Sequence, residues 1–206
     1  MDKPGAPQTA LIAFGLGVPR STPEYPSIVE MNSILGGLFS SRINMNLREK
    51  NGFTYGAFSR FSFYRDGGPF YTGAQVRTDV TGPAAHELFA ELERIQTDPA
   101  TAAELKLSKD SALRSLPADF ETVGSETGLM AELFVYGLAN DYFEKLPAQF
   151  EAVTPEAVAK AAADTIHPDH LVVVAVGDRA KIQPELEKLN LGPIEIRDAS
   201  GDLIKQ

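Results

Sequence analysis

The sequence predicts an α+β domain in which helices pack on one face of a largely antiparallel sheet. Residues 53–64 and 70–77 are rich in aromatic and β-branched residues, and the turn sequence RDGG at 65–68 joins them as an antiparallel hairpin. Residues 99–166 are helical in character throughout, and an apolar run, Leu171–Val176, follows near the end of the chain. A hairpin before a helical block and a late strand is an order typical of the α+β class.

The chain begins with a strand and a helix. Thr9–Val18 is a short apolar run that contains two glycines, and it predicts a buried strand. Residues 19–26 are rich in turn residues and predict a loop. From Tyr25 onward the apolar residues, among them Ile28 and Leu35, recur at helical spacing, so a helix is expected there.

The stretch Leu35–Gly56, LGGLFSSRINMNLREKNGFTYG, contains clear start and stop signals. Gly36-Gly37 ends one helical segment, and Ser40 or Ser41 is placed to cap the next by accepting hydrogen bonds from its first N–H groups. Asn51-Gly52 ends this second helix, because glycine adopts the left-handed conformation at low cost. The sequence therefore predicts helix, glycine turn and strand in succession.

Two polar side chains of this stretch are the candidate functional residues. Ile43 and Leu47 lie on one face of the predicted helix, and Asn44 and Arg48 lie on another. Arg48 falls in the last turn of the helix, and Tyr55 falls near the start of the following strand. We therefore expect the guanidinium and the phenol to lie close together and to point to the same side.

The next helix is expected to have one buried and one solvated face. Thr81 is placed to cap it, with Pro83 in its first turn. The apolar residues recur at helical spacing and form the stripe that faces the core. The stripe consists of Ala85, Leu88, Phe89, Leu92 and Ile95, and the solvated face consists of Glu87, Glu91 and Glu93.

The rest of the chain completes the helical layer and the sheet. The helical block is broken near Pro117 and at residues 137–140, and Thr154-Pro155-Glu156 begins a further helix with a cap, a first-turn proline and an acid at the positive end of the dipole. Leu171–Val176 is apolar at every position, which predicts a strand covered on both faces. The tail Ile194–Gln206 is expected to add an edge strand and then to fray.

Composition excludes several classes of function. The chain has 206 residues, of which 43% are hydrophobic and 23% charged, as in soluble globular domains. A formal net charge of -9 without a basic patch argues against a nucleic-acid partner. No apolar run approaches the roughly 18 residues that cross a bilayer. We expect residues 1–206 to form a single domain that is part of a longer protein.

The sequence lacks a recognisable metal or nucleophile motif. His86-Glu87 would open an H-E-x-x-H motif, but position 90 is alanine, and H-x-x-E-H is absent as well. His167 and His170 flank Pro168-Asp169, which breaks any helix that could align them. The absence of cysteine removes thiolate ligands, and no G-x-S-x-G elbow is present. We therefore expect no metal and no cofactor bound by this chain itself.

The stretch 35–56 resembles the matching block of the pitrilysin-like zinc metallopeptidases, the family that includes mitochondrial processing peptidase and the insulin-degrading enzymes. It follows the pattern L-G-G-x-F-S-S-R-L-N-x-x-L-R-E-x-x-G-x-T-Y-G, with Ile43 in place of leucine. The matching domain is the C-terminal, inactive one, which lacks the metal. In the family, an arginine and a tyrosine at the positions of Arg48 and Tyr55 reach across to a zinc site and hold the substrate's peptide carbonyl.

The resemblance implies a function that needs a second module. This chain would be the non-metal half of a zinc peptidase, inactive alone, which closes over an unfolded peptide while Arg48 and Tyr55 bind and polarise its backbone. Zinc would be held by an H-x-x-E-H domain on the same polypeptide or on a partner subunit, in a homodimer or heterodimer. The family suggests the periplasm, with the cytoplasm or an organelle as alternatives.

Two other interpretations stay open at this stage. One is a non-catalytic scaffold or assembly subunit, although such a subunit has no need of the Arg48–Tyr55 pair. The other is purely structural: Arg48 pairs with Glu49 or caps its own helix, and Tyr55 is an ordinary strand aromatic. The neighbouring residues are expected to be structural or solvated. Arg42 is expected to pair with Glu49 or Asp66, with substrate contact as the alternative. Phe39 and Phe53 should be core, and Arg60 and Arg65 should be solvated.

Overall fold

A computed structural model describes residues 1–204 of the chain. A four-stranded sheet in the order β2-β3-β1-β4 forms its centre. The strands are β1 (Gln8–Leu16), β2 (Thr54–Phe61), β3 (Pro69–Arg77) and β4 (Val172–Val176), and every neighbouring pair is antiparallel. The predicted α+β class and the β2–β3 hairpin are confirmed, with β2 shorter than predicted.

The helices fill the segments between the strands. Two of them pass into a wider, π-helical turn: α1 continues as Ser33–Gly37 and α2 continues as Met45–Lys50. The helical block predicted at 99–166 is confirmed, with breaks at a 3₁₀ turn, Leu116–Phe120, and at residues 137–141. The helices are α1 (Tyr25–Asn32), α2 (Arg42–Asn44), α3 (Thr81–Thr97), α4 (Ala102–Ser115), α5 (Val123–Tyr136), α6 (Tyr142–Glu151), α7 (Pro155–Thr165) and α8 (Arg179–Glu187).

Alternate residues along the strands point to the helices and form the core. Leu11 and Ala13 of β1 and Phe70 and Val76 of β3 are completely buried on this side. They pack in one cluster with apolar residues of the helices, such as Leu88 of α3. The prediction that helices cover one face of the sheet is confirmed.

The opposite face of the sheet, called the open face below, is apolar and exposed. Ile12 and Phe14 of β1 lie on it, paired with Val174 and Val172 of β4. The prediction that both faces of residues 171–176 are covered is therefore wrong, since Val172 keeps 55% of its surface exposed. An all-apolar strand indicates two covered faces only where layers exist on both sides, and within residues 1–204 the helices lie on one side.

Two predictions about helix α3 are wrong. Thr81 is its first residue rather than its cap, and the Thr81 hydroxyl contacts Thr9 Oγ1 at 2.8 Å and Thr78 O at 3.1 Å. Glu91, assigned to the solvated face, is only 1% exposed. Its Oε1 accepts hydrogen bonds from Asn46 and Arg94, which offset part of the cost of burying the carboxylate, whereas Oε2 is buried without a partner among residues 1–204.

Helix α5 packs differently from the other long helices, because none of its residues is buried. Phe134 keeps 91% of its surface exposed, and Val123 keeps 81%. Residues 115–144 carry six acidic side chains and no lysine or arginine. The exposed surface of α5 therefore includes large apolar side chains, in a segment of the chain that is acidic in sequence.

The C-terminal tail does not extend the sheet within the described residues. Arg197 and Leu203 form an isolated antiparallel bridge with each other, and Ile196 is buried. The predicted edge strand at 194–206 is wrong for residues 194–204, because this segment pairs with itself. Its last residues, 205–206, lie outside the described part of the chain. From residue 1 to residue 204, no helix has the combined length and apolarity that crossing a bilayer requires.

Candidate functional site

The helix that carries Arg48 ends at a glycine, as predicted. Gly52 has a positive φ of 63°, and its N–H donates to Arg48 O at 3.0 Å. Ile43 and Leu47 are completely buried and fix the rotation of this helix on the core. Arg48 itself lies in the π-helical turn that continues α2, a wider turn that often occurs at functional sites.

The Arg48 guanidinium lies on an exposed aromatic ring. Its central carbon is 4.3 Å from the centre of the Phe39 ring, and its Nε is 3.4 Å from a carboxylate oxygen of Glu49. The prediction that Phe39 is core is wrong, because Phe39 is 68% exposed and serves as a platform for Arg48. Phe53 packs partly buried against the core. A surface ion pair such as Arg48–Glu49 is weak, so the guanidinium stays available to another partner.

Tyr55 is turned outward by an irregularity in β2. Thr54 pairs with Val76, whereas Ala57 pairs with Ala74, so Tyr55 and Gly56 together stand opposite Gln75. This is a β-bulge with one extra residue. The Thr54 hydroxyl closes it, because it accepts from Gly56 N–H at 3.2 Å and lies 2.6 Å from Gln75 O.

The bulge decides on which face of the sheet Tyr55 lies. Ala57, Ser59 and Phe61 point to the helices and are buried, so uninterrupted alternation would place Tyr55 on that side as well. The extra residue reverses the alternation. Tyr55 consequently lies on the open face with 90% of its surface exposed.

A shallow concavity of about 400 Å³ adjoins Tyr55 on the open face. Ala10, Ile12 and Phe58 supply its apolar wall, and Gln8 and Gln75 supply amides. Arg48 lies outside this lining, and in residues 1–204 it makes no hydrogen bond or cation–π contact with Tyr55. That the two side chains converge on one ligand stays a prediction.

Asn44 joins the helix of Arg48 to the strand of Tyr55. Its Oδ1 accepts from Ala57 N–H at 2.9 Å, and its Nδ2 donates to Ala57 O at 2.7 Å. The same Nδ2 lies 3.2 Å from Ser41 Oγ and 3.3 Å from Leu38 O. Ser41 is at the predicted cap position, but its hydroxyl contacts Asn44 instead of a helix N–H. Helical spacing alone predicted only that Asn44 lies on the same helix face as Arg48.

A second buried network supports the π-helical turn. Asn46 Nδ2 donates to Glu91 Oε1 at 2.6 Å and to Glu87 Oε2 at 2.8 Å. Asn51 Nδ2 donates to Asn46 Oδ1 at 2.6 Å, and Arg94 Nη1 donates to Glu91 Oε1 at 2.8 Å. Asn46, before Arg48, is thereby bonded to α3 directly, and Asn51, after Arg48, is linked to α3 through Asn46.

Arg42 has a structural role, with a partner that differs from the expected Glu49 or Asp66. Its Nε and Nη2 donate to the two carboxylate oxygens of Glu104 at 2.7 and 3.0 Å. Burial alone would raise the pKa of Glu104, but hydrogen bonds from Arg42 and from the backbone and hydroxyl of Thr101 outweigh it and lower that pKa to about 2.

Metal ligands do not assemble in the described residues. Among residues 1–204, no group of three or more histidine, cysteine, aspartate or glutamate side chains is placed to hold a metal ion. His86, His167 and His170 are all exposed, and the rings of the last two are 6.0 Å apart. The acidic neighbour of His86 is Glu87 at 3.7 Å.

The antiparallel sheet with helices on one face and the glycine-ended helix before β2 are the features that a resemblance to the non-metal domain of the zinc peptidases implies. Residues 1–112, more than half of the chain, match the family "Peptidase M16 inactive domain". The chain belongs to this family, which confirms the resemblance found in the sequence. Its fold is the α+β fold of these domains.

Known proteins similar to the chain agree with this assignment. The peptidase M16 inactive domain from Pseudomonas fluorescens is 27% identical, with a TM-score of 0.80 over 86% of this chain and 42% of that one. An uncharacterized zinc protease, YmxG of Bacillus subtilis, is 27% identical over 99 residues, 48% of this chain and 24% of its own length. A protease from Helicobacter pylori shares the fold, at 20% identity and a TM-score of 0.75 over 85% of this chain and 43% of that one. The chain thus spans less than half the length of these relatives.

Proposed function

We propose that this chain is the substrate-binding, non-metal half of a zinc peptidase. It would close over an unfolded peptide together with a zinc-bearing half, which belongs to the same polypeptide or to the other subunit of a homodimer or heterodimer. The observation that carries this proposal is the outward position of Tyr55. Strand alternation would place Tyr55 on the helix side of the sheet, but the bulge moves it to the open face. Within residues 1–204 its hydroxyl makes no hydrogen bond to the domain.

The charges and exposure of the pair fit a peptide backbone as ligand. The Arg48 guanidinium offers donors in a rigid fork, and its platform Phe39 and weak partner Glu49 leave it accessible. Tyr55 offers one O–H donor beside an apolar concavity suited to a neighbouring side chain of the peptide. An extended peptide presents carbonyl oxygens and apolar side chains at alternate positions, and both kinds of group find a partner here.

The chemistry of the pair is electrostatic. When water adds to a peptide carbonyl, negative charge develops on the carbonyl oxygen, and the Tyr55 hydroxyl would donate a hydrogen bond to it. Arg48 would hold a neighbouring carbonyl and fix the position of the chain. Zinc in the other half would supply the activated water. Removal of one such donor typically costs about 2.7–4 kcal/mol of activation free energy.

The test is peptide hydrolysis by the complete peptidase, which contains both halves. We expect Tyr55→Phe to lower kcat by about 10²-fold with little change in KM, because the lost hydrogen bond forms only as charge develops. Arg48→Ala should lower kcat/KM through weaker substrate positioning. Tyr64→Phe and Arg65→Ala, which alter exposed residues of the hairpin loop, serve as matched controls and should leave turnover unchanged.

Unchanged turnover in both Tyr55→Phe and Arg48→Ala would contradict the proposal. That result would favour the alternative, a non-catalytic scaffold or assembly subunit with the same fold.

A further inference from the structure

We infer that Asn44 is the positioning residue of the Arg48–Tyr55 pair: one buried amide sets the conformation of both side chains. The catalytic part of this inference rests on the proposed function, while the conformational part concerns the domain alone. Asn44 has 6% of its surface exposed and lies on the helix of Arg48, four residues before it.

The first link runs from Asn44 to Tyr55. The Asn44 amide binds both backbone groups of Ala57, its N–H at 2.9 Å and its C=O at 2.7 Å. Ala57 is the residue at which regular pairing with β3 resumes after the bulge. Because Asn44 replaces a neighbouring strand at this point, Ala57 is held in register, and the extra residue stays between Thr54 and Ala57.

The second link runs from Asn44 to Arg48 through its aromatic platform. Asn44 Nδ2 lies 3.3 Å from the carbonyl oxygen of Leu38, the residue directly before Phe39. Phe39 carries the Arg48 guanidinium on its ring at 4.3 Å. The same amide nitrogen therefore binds the backbone next to Phe39, which carries Arg48, and the backbone of Ala57, which follows the bulge at Tyr55.

Only an amide of this length fits both links. The Ala57 N–H requires an acceptor and the Ala57 C=O requires a donor, so the orientation of the Asn44 amide is fixed by its partners. Aspartate keeps the acceptor but loses the donor. Alanine leaves both buried backbone groups without a partner, which favours a rearrangement of the strand over the bulged register.

The conformational part is tested on this chain by ¹⁹F NMR with 3-fluorotyrosine, the Tyr55 signal being assigned with Tyr55→Phe. We expect Asn44→Ala to shift or broaden the Tyr55 signal and to leave the Tyr136 signal in place. Asn44→Asp should have the same effect to a smaller degree, and it provides the test if the alanine variant does not fold. Asn51→Ala is the control, because it removes an amide at the C-terminal end of the same helix that contacts Asn46 and not β2. It should leave the Tyr55 signal unchanged.

The catalytic part is tested in the complete peptidase. Asn44→Asp should lower kcat by ~10- to 100-fold with a smaller change in KM, because a displaced donor acts mainly on the transition state. The same substitution in an Arg48→Ala/Tyr55→Phe background should have little further effect, whereas a merely structural defect would lower activity equally in both backgrounds. Asn51→Ala serves as the control for a loss of activity that comes from destabilisation of the helix alone.

The outcomes separate the two proposals. An unmoved Tyr55 signal in folded Asn44 variants would overturn the inference. Wild-type turnover in both Tyr55→Phe and Arg48→Ala, together with a moved Tyr55 signal in the Asn44 variants, would overturn the proposed function and would leave Asn44 as the residue that sets the conformation of Tyr55. Equal losses of activity in both backgrounds would overturn the positioning role in catalysis.

Discussion

Individual side chains of this domain acquire their roles from residues far away in the sequence. Arg42 pairs with Glu104, 62 residues further along the chain, and donates to the carbonyl oxygens of Asp98 and Pro99 at 3.1 Å each. Glu104 also accepts from the backbone N–H of Thr101 at 2.8 Å, so it caps α4 as well as neutralising Arg42. One carboxylate thus joins α2 to the start of α4.

The Arg42–Glu104 contact predicts a pH-dependent stability. The pKa of Glu104 is lowered from 4.5 to about 2, so the stabilisation by its ionised form is complete above about pH 4.5 and is lost as the pH falls through 2. We expect Glu104→Gln to lower the free energy of unfolding by about 2–3 kcal/mol at pH 7. By pH 3 about half or more of this difference should be gone.

Urea unfolding at pH 7, 5 and 3 measures the difference. Glu126→Gln, an exposed change on α5, is the matched control and should track the wild type throughout. A Glu104→Gln deficit that stays constant over this pH range would show that the ionised carboxylate is not its origin.

At the scale of the elements, the close contact between the π-helical turn Ser33–Gly37 and β2 depends on a missing side chain. A Cβ at Gly36 would overlap the backbone nitrogen and the side chain of Ser59. Ser59 Oγ in turn donates to Asn32 Oδ1 at 2.8 Å, so this turn covers the outer edge of β2. The edge strand that carries Tyr55 is shielded in this way.

We therefore expect Gly36→Ala to destabilise the domain by about 1–3 kcal/mol, as overpacking against backbone does. Gly128→Ala in α5 is the control, because a Cβ there meets no atom within 4 Å and alanine favours a helix by about 1 kcal/mol. Thermal unfolding of both variants should show changes of opposite sign. A neutral Gly36→Ala would contradict the close packing.

Sequence signals of short range predicted most of these elements. The hairpin, the break at Pro117, the stop at Gly52 and the cap at Thr154 are each encoded within a few residues. Thr154 Oγ1 indeed accepts from Ala157 N–H at 3.2 Å. These elements could be read from the sequence because their causes are local.

Features that depend on distant partners were missed or wrong. The burial of Glu91 depends on Asn46, and the exposure of Val172 depends on which layer lies above the sheet. The outward position of Tyr55 depends on a bulge, for which Gly56 inside the strand is the local signal, whereas strand alternation alone predicts the opposite face. An asparagine inside a helix, a poor helix former, was the single local hint of Asn44's role.

For the whole molecule, the distribution of apolar surface is uneven. Helices bury one face of the sheet, whereas Ile12 and Phe14 on the open face and Phe134 on α5 stay exposed. The six acidic residues between 115 and 144 belong to the same segment of the chain as α5 and contribute to the net charge of -9. In the isolated domain, the net negative charge therefore opposes association through these apolar surfaces.

The exposure of α5 predicts that its apolar face can be changed at little cost. We expect Phe134→Asp to lower the fluorescence of a bound apolar dye such as ANS, and to change the free energy of unfolding by no more than about 0.5 kcal/mol, as surface changes do. Some dye should remain bound, because the open face is unaltered. Phe150→Asp on α6, where the ring is 3% exposed, is the contrasting variant and should destabilise strongly. A large loss of stability in Phe134→Asp would mean that α5 is packed.

The bulge in β2 also has a consequence for protein engineering. A shift of one residue, about 3.3 Å of chain, separates an available phenol from one hidden among the helices. If Gly56 were deleted, β2 would pair with β3 without a bulge from Thr54 onward. Ordinary strand alternation would then place Tyr55 on the open face. Transfer of Arg48 and Tyr55 to another scaffold would therefore require Asn44 as well, or else the deletion of Gly56. The arginine and the tyrosine alone would not suffice.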